Sequence, residues 1–93
     1  MAYAVVVTAE FEKDFRKLPR EVAARVAEKI EQLAEHPEHL RFPLKHVPES
    51  LRGLHKYRVG DYRILLWPEH EERRLVLYAI AHRGDIYRRL GDR

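Results

Sequence analysis

Residue types on which many enzymes depend are missing or scarce in this 93-residue chain. It has no cysteine, which excludes disulfides, thiolate nucleophiles and cysteine-ligated zinc or iron. Ser50 is the only serine, and no glycine pattern of a nucleophile elbow surrounds it, which argues against a serine hydrolase. The four glycines, at positions 53, 60, 84 and 91, are too dispersed for a phosphate-binding or dinucleotide-binding loop. The sequence therefore predicts no ATP, NAD or other small-molecule cofactor.

The chain also lacks a long apolar run. The longest such run, Leu75–Ala81, is far shorter than the roughly 20 residues that span a bilayer. The N-terminal residues MAYA lack the basic start of a signal peptide. We expect no membrane partner, a cytoplasmic location and a single domain over residues 1–93, a length suited to one core.

Charge is distributed unevenly along the sequence. Residues 1–51 carry 8 Lys and Arg against 9 Asp and Glu, whereas residues 52–93 carry 10 against 6. The overall net charge of +3 therefore hides a C-terminal half of +4. A basic half raises the probability of a polyanionic partner such as nucleic acid.

Apolar periodicity predicts a strand and two helices in the first 36 residues. Tyr3–Val7 is a β-branched run typical of a buried strand, and Thr8 is a candidate N-cap for a helix that begins at Ala9. Apolar residues at helical spacing predict one helix that ends at Pro19 and a second that ends before Pro37. The basic residues between these apolar positions, Arg25 among them, are interpreted as a solvated outer face.

The rest of the chain predicts a meander of strands. Residues 37–53 contain three prolines and suggest an irregular connection, with a short strand or turn near Leu44–Val47. Strands should follow at about 54–59, 62–67 and 74–82, with one or two helical turns within 85–90. This order predicts an α+β fold, in which a helical hairpin covers one face of an antiparallel sheet.

The turn signal Gly60-Asp61 joins two alternating segments and predicts a two-residue β-hairpin loop. Such a loop pairs Val59 with Tyr62, Arg58 with Arg63 and Lys56 with Leu65. Paired residues share a sheet face, so three cations are expected on one side of the sheet: Lys56, Arg58 and Arg63. Like charges opposite each other destabilise a sheet, and an anionic partner would offset that cost. The alternative is that the guanidinium groups splay into solvent from an ordinary exposed face.

A second basic segment, His82-Arg83, ends the last predicted strand, and Tyr87 follows four residues later. Metal-free RNA cleavage needs a base for the 2′-hydroxyl, stabilisation of the phosphate charge and a proton for the leaving oxygen. Arg63 and Arg83 could clamp phosphoryl oxygens. An ammonium crowded by like charges releases its proton more readily, so Lys56 could act as the base. Tyr87 either stacks on a base or closes the core, and for His82 we favour a capping or buried histidine.

No metal site is predicted. His36 and His39 straddle a proline, and the sequence shows no third ligand nearby, so a surface loop is the preferred interpretation.

Over nearly its whole length the chain resembles the RelE/ParE superfamily of bacterial and archaeal toxins, and most closely the RelE-type messenger RNA interferases. The resemblance lies in the opening strand and in segments 11–19 (FEKDFRKLP), 32–37 (QLAEHP), 51–65 (LRGLHKYRVGDYRIL) and 80–89 (IAHRGDIYRR). It implies a RelE-like, microbial-ribonuclease-like fold with a short C-terminal helix. It further implies a toxin of a type II toxin-antitoxin system that enters the ribosomal A site, cuts the bound messenger RNA and is inhibited by a cognate RelB-like antitoxin.

The resemblance also implies the catalytic residues. RelE-type enzymes have two basic residues before the hairpin turn, an arginine in a Tyr-Arg pair after it, an arginine after the last strand and a C-terminal tyrosine. These positions correspond here to Lys56, Arg58, Arg63, Arg83 and Tyr87. Arg58 stands where a lysine occurs in relatives, and because its guanidinium stays protonated, the base role falls to Lys56 or to substrate positioning.

Two other functions remain open at this point. ParE-type proteins resemble the same fold but poison DNA gyrase and lack the nuclease residues. A pure binding module or an inactive remnant would also have this fold, because a fold alone does not determine activity. His82 has an alternative as well, since some members of the superfamily use a Glu/His acid–base pair.

Overall fold

The computed structural model describes residues 2–91 and confirms the α+β fold. A four-stranded sheet is accompanied by three α-helices within these residues. In chain order, the elements are β1 (Ala4–Val7), α1 (Ala9–Arg16), α2 (Arg20–Glu35), β2 (His55–Val59), β3 (Tyr62–Glu69), β4 (Arg74–His82) and α3 (Ile86–Arg89). The predicted strands and helices therefore all form, with ends that differ by at most two residues from those expected for the strands. The expectation of a buried first strand is wrong, however, because β1 is an edge strand and its residues are exposed.

The sheet has the order β1-β4-β3-β2. Strands β2, β3 and β4 form the predicted antiparallel meander. Strand β1, in contrast, pairs in parallel with β4, from Ala4 opposite Arg74 to Val7 opposite Leu77. Two parallel strands need a long connection between them. Here the connection is the chain over residues 8–73, which includes α1 and α2.

Thr8 begins α1 as predicted. Its hydroxyl oxygen accepts a hydrogen bond from the backbone N–H of Phe11 at 3.1 Å, which satisfies a donor that the helix leaves unpaired. The hydroxyl in turn donates to the carbonyl of Leu77 at 2.9 Å. Thr8 therefore caps the helix and attaches its first turn to β4.

Apolar side chains pack on both faces of the sheet. The face toward α1 and α2 carries the larger cluster, which includes Phe11, Val26, Leu33, Ile64, Leu66, Leu77 and Ile80. The opposite face carries a smaller one formed by Leu51, Leu54, Leu65, Ala79, Ala81 and Ile86. The connection over 36–54 and helix α3 thus cover part of the face that the helical hairpin leaves open.

The connection between α2 and β2 contains two 3₁₀ turns, Pro37–His39 and Glu49–Leu51. Between them the backbone bends at Lys45 and His46, so the turn expected near this point forms and the alternative short strand does not. Throughout residues 2–91, no helix is both long enough and apolar enough to cross a membrane.

Candidate functional site

The β2–β3 hairpin has the predicted register. Val59 lies opposite Tyr62, Arg58 opposite Arg63 and Lys56 opposite Leu65. Gly60 occupies the first loop position with φ of 59°, a left-handed value that favours glycine and is typical of a type II′ turn. The two-residue loop therefore sets which residues share a face.

The side chains on the two faces of this hairpin differ sharply. Those that face α1 and α2 belong to the larger core cluster: Tyr57, Val59, Tyr62 and Ile64. On the other face, Lys56 and Arg58 are exposed and Arg63 is half-buried. Arg63 also lies opposite Ala81 of β4, so these two residues share one sheet face. We call Lys56, Arg58, Arg63 and Arg83 the cationic cluster.

Arg58 and Arg63 both donate hydrogen bonds to the turn, although Arg58 stays exposed. Arg63 donates through one terminal nitrogen to the carbonyls of Gly60 and Tyr62, both at 2.9 Å. Arg58 donates through Nε to the same Gly60 carbonyl at 3.4 Å, a longer and weaker contact. Because one carbonyl dipole attracts both guanidinium groups, it offsets part of the repulsion between two like charges placed opposite each other.

Arg83 lies at the same turn. Its backbone N–H donates to the carbonyl of Asp61 at 2.8 Å, which joins the end of β4 to the hairpin loop. Its Nε lies 3.9 Å from an Asp61 carboxylate oxygen, and both side chains are 65% exposed. Such an exposed, long ion pair is weak, so an incoming phosphate can compete for the Arg83 side chain. Arg63 and Arg83 thus contact neighbouring residues of one loop.

The sequence interpretation used Asp61 only as a turn residue. In the structure its carboxylate lies beside Arg83, so the loop carries one negative charge among the cations.

Tyr87 is 59% exposed and does not close the core. The neighbouring residue Ile86 does so instead, because it packs in the smaller cluster with Leu65 and Ala81. Leu65 is paired with Lys56, and Ala81 with Arg63, so α3 lies on the sheet face that carries these cations. Tyr87 therefore belongs to a helix on that face, and its phenol is exposed to solvent.

His82 is an exposed residue with a capping role. Its Nδ1 accepts from the backbone N–H of Gly84 at 3.2 Å. Its ring packs edge-on against Tyr62, with ring centroids 5.5 Å apart. Tyr62 belongs to the core on the helix side, so this contact directs the His82 ring away from the face that carries Arg63. The capping interpretation agrees with this geometry.

A further cation reaches the turn from α2. A Cβ atom built at Gly60 would lie 3.0 Å from a terminal nitrogen of Arg25. We had interpreted Arg25 as part of a solvated helical face, and it is exposed, but its guanidinium lies against the loop. No sequence pattern reveals this proximity, because it depends on how α2 docks on the sheet.

The histidines after α2 have a third potential ligand that the sequence interpretation missed. The ligand atoms of His36, Glu38 and His39 all lie within 4.8 Å of one another, and all three side chains are exposed. Glu38 hydrogen-bonds His36 Nδ1 at 3.2 Å. A hydrogen bond from its own backbone N–H, with a smaller contribution from His36, lowers the pKa of Glu38 below its ordinary value. The statement that no third ligand is nearby is therefore wrong, although exposed groups of this kind are common without a metal.

Comparisons with known proteins place the chain in a family. The model of the ParE toxin family, described as the ParE toxin of the type II toxin-antitoxin system parDE, matches residues 5–87. The chain is 34% identical over 87 residues to toxin RelE of Mycobacterium tuberculosis, covering 92% of this chain and 87% of that protein. It is also 34% identical over 90 residues to toxin RelG of the same organism, covering 96% of this chain and 100% of that protein.

Solved structures agree with the sequence comparison. The RelBE2 toxin-antitoxin complex of Mycobacterium tuberculosis contains a chain with a TM-score of 0.75 and 29% identity, covering 88% of this chain and 99% of that one. A mutant of E. coli toxin RelE in the free state has a TM-score of 0.72 at 20% identity, covering 98% of this chain and 96% of that one, a likeness that shows the fold alone. The chain therefore belongs to the ParE toxin family of type II toxin-antitoxin systems, within the RelE/ParE superfamily, and has a RelE-like fold.

Proposed function

We propose that this toxin is a ribosome-dependent endoribonuclease that cuts messenger RNA in the A site without a metal ion. The observation that supports this proposal best is the convergence of three arginines, Arg58, Arg63 and Arg83, on the loop Gly60-Asp61. Lys56 lies on the same sheet face, exposed and with no ion-pair partner among residues 2–91. Guanidinium and ammonium groups bind phosphate and do not ligate metal ions, so the chemistry proposed here uses protein cations alone.

In the proposed reaction, Lys56 removes the proton of the 2′-hydroxyl. The 2′-oxygen attacks the adjacent phosphorus, and the bond from phosphorus to the 5′-oxygen breaks. Arg63, held by two carbonyls of the turn, stabilises the extra charge of the pentavalent phosphate from a fixed position. Arg83 is less restrained and stabilises the leaving oxygen until that oxygen takes a proton from solvent. The products are a 5′-hydroxyl and a 2′,3′-cyclic phosphate, and subsequent attack of water on the cyclic phosphate gives a 3′ phosphate.

The other members of the site bind and orient the RNA. Arg58 stays protonated, so it contributes charge and not a base. Tyr87 stacks on a nucleobase or orders the site from α3. Because a cluster of cations has little means of aligning the 2′-oxygen with the phosphorus, the ribosome supplies that alignment, and free RNA should be a poor substrate.

Its inhibitor is proposed to be a cognate RelB-like antitoxin, as solved relatives from Mycobacterium tuberculosis, E. coli and Methanococcus jannaschii are RelB-RelE or RelBE complexes. The chain offers an apolar groove of 520 Å³ between β1 and the two long helices, lined by Val5, Phe11, Phe15, Ile30 and Leu77, among others. An amphipathic helix of an acidic antitoxin fits such a groove, and acidic residues beside it would mask the cationic cluster.

The proposed activity is tested by adding the purified protein to ribosomes stalled on a defined A-site codon and, separately, to DNA gyrase. Cutting of the ribosome-bound messenger, with free RNA nearly untouched, supports the proposal. The ParE name of the matching family favours the second candidate, a gyrase inhibitor without nuclease activity. Inhibition of supercoiling with intact messenger would establish that function instead. If neither assay responds, the chain acts as a binding module or is an inactive remnant.

The proposed antitoxin is tested by co-expression with the neighbouring small open reading frame. A tight pair elutes from size-exclusion chromatography as one complex at micromolar concentration, and two independent peaks would contradict the pairing.

A further inference from the structure

Helix α3 is too short to hold itself in place. It contains four residues, Ile86–Arg89, and Asp85 at its N-cap makes no side-chain capping bond. An isolated single helical turn is unstable, because fixing its backbone dihedral angles costs more free energy than its few hydrogen bonds supply. Its position on the sheet must therefore come from contacts with the rest of the molecule.

One charged side chain joins α3 to the body of the protein. A terminal nitrogen of Arg89 lies 2.8 Å from a carboxylate oxygen of Asp14 and 3.0 Å from one of Glu10, both in α1. The Arg89 and Asp14 side chains are only 22% and 14% exposed. The hydrogen bond to Asp14 raises the pKa of Arg89 above its ordinary value. We call these three residues the α3 anchor.

Asp14 is itself held in place by the sheet. Its carboxylate accepts a hydrogen bond from the backbone N–H of Ile80 at 3.1 Å. Strand β1 pairs with β4 only as far as Leu77. The backbone N–H of Ile80 lies beyond that point, so the Asp14 carboxylate accepts its hydrogen bond in place of a neighbouring strand. The anchor therefore fixes α3 relative to α1 and to the end of β4 that leads to Arg83.

The neighbouring arginine forms a local pair. Arg88 binds Asp85, three residues before it, at 2.5 Å, and the two side chains are 76% and 54% exposed. This pair lies within the α3 segment and attaches it to nothing else. Of the α3 ion pairs that the structure describes over residues 2–91, those of Arg89 are the ones that cross to another element.

Helical geometry links the anchor to Tyr87. Residues of a helix are separated by about 100°, so Tyr87 and Arg89 point to nearly opposite sides of α3. Ile86 lies between those directions and packs in the smaller core cluster. The ion pairs between Arg89 and α1 therefore fix the rotation of α3 about its axis. That rotation determines the direction of the exposed Tyr87 phenol.

We propose that Arg89 is a positioning residue that acts through Tyr87: its ion pairs with Asp14 and Glu10 hold α3 so that the Tyr87 side chain stays over the cationic cluster. This inference rests on the proposed nuclease function. It gives Arg89 an effect on the rate of cutting, although the Arg89 side chain does not itself touch the RNA.

The test compares Arg89→Gln with Arg89→Lys and with Arg88→Gln as the matched control. On programmed ribosomes, Arg89→Gln should lower kcat by about tenfold to 100-fold with little change in KM, because a misplaced group loses rate more than binding. Arg89→Lys keeps the charge and should recover most of that loss. Arg88→Gln removes an equal charge from the same helix and should leave both constants within about twofold of the unmodified protein.

A double-mutant cycle separates positioning from direct action. In a Tyr87→Ala background, Arg89→Gln should cost no further activity, because the group through which it acts is gone. Losses that multiply in the double variant would show that Arg89 acts independently of Tyr87 and would overturn the proposal. An equal loss in Arg88→Gln would also overturn it, because the effect would then be one of net charge.

Hydrogen exchange of the α3 amides provides a readout independent of cutting. Arg89→Gln should speed exchange at residues 88–91 while Arg88→Gln does not. If Arg89→Gln fails to fold, Glu10→Gln weakens the anchor more gently and takes its place in every assay. Unchanged exchange in the anchor variants overturns the anchor even if the unmodified protein cuts RNA. Absence of cutting by the unmodified protein overturns the proposed function, and the positioning role with it, whatever the exchange shows.

Discussion

Replacement of Arg83 by alanine separates catalysis from stability at one position. The backbone N–H of residue 83 keeps its 2.8 Å hydrogen bond to Asp61, since that bond does not involve the side chain. The path of the chain from β4 to α3 should therefore persist in Arg83→Ala. Only the guanidinium is lost from the loop.

The cost to folding should be small. At the 3.9 Å separation of Arg83 Nε and the Asp61 carboxylate, the attraction is about 1 kcal/mol in water. Both groups are 65% exposed, so screening and lost side-chain freedom reduce the net value to between about 0 and 1 kcal/mol. We expect the free energy of unfolding, measured in urea, to fall by no more than that.

The cost to the reaction should be much larger. Removing one preorganised donor from a transition-state site typically lowers the rate by about 10²-fold to 10³-fold, or about 3 to 4 kcal/mol. The assay is single-turnover cutting of messenger RNA on programmed ribosomes. Arg74→Ala is the matched control, because Arg74 is an arginine paired with Glu69 at the opposite end of β4. That variant should cut at nearly the normal rate.

Two outcomes would refute this reasoning. Normal cutting by Arg83→Ala would remove Arg83 from the site and leave Arg63 as the only arginine assigned to the transition state. A similar loss in Arg74→Ala would mean that the rate depends on overall positive charge and not on a cluster at the loop.

Two further predictions concern the stability of the hairpin and of the segment before it. Gly60→Ala should lower the free energy of unfolding by about 1 to 3 kcal/mol, because φ is 59° and the new Cβ would lie 3.0 Å from a terminal nitrogen of Arg25. Gly84→Ala should be nearly neutral in the same urea titration, because its new Cβ would make only an ordinary 3.7 Å contact with His82 Nδ1. Burial lowers the pKa of His55 below its ordinary value despite its hydrogen bond with the Gly53 carbonyl, so the unfolded chain binds the proton more readily. Stability should therefore fall as the pH drops from about 7.5 to about 5.5, and the fall should be smaller in His55→Gln; equal slopes for the two proteins would contradict this assignment.

Local sequence patterns were sufficient for the elements and for the hairpin. The Thr8 cap, the proline boundaries of the helices and the loop Gly60-Asp61 each depend on residues within a few positions of one another, so their geometry follows from short-range sterics and hydrogen bonding. The loop in turn determines the register, and the register places Lys56, Arg58 and Arg63 on one face because strand side chains alternate.

Contacts between distant segments could not be predicted in this way. The parallel pairing of β1 with β4, the approach of Arg25 to the loop and the ion pairs of Arg89 join residues separated by tens of positions. Each depends on how α1, α2 and α3 dock, and many dockings satisfy the same apolar pattern.

The amino-acid sequence by itself determined the α+β order of elements, the hairpin register and the presence of a basic C-terminal half. Only the tertiary structure decided that Arg63 and Arg83 meet at one loop and that α3 is held by Asp14. The physical reason is range: backbone geometry and side-chain alternation act over a few residues, whereas the meeting of separate charges depends on the packing of the whole core.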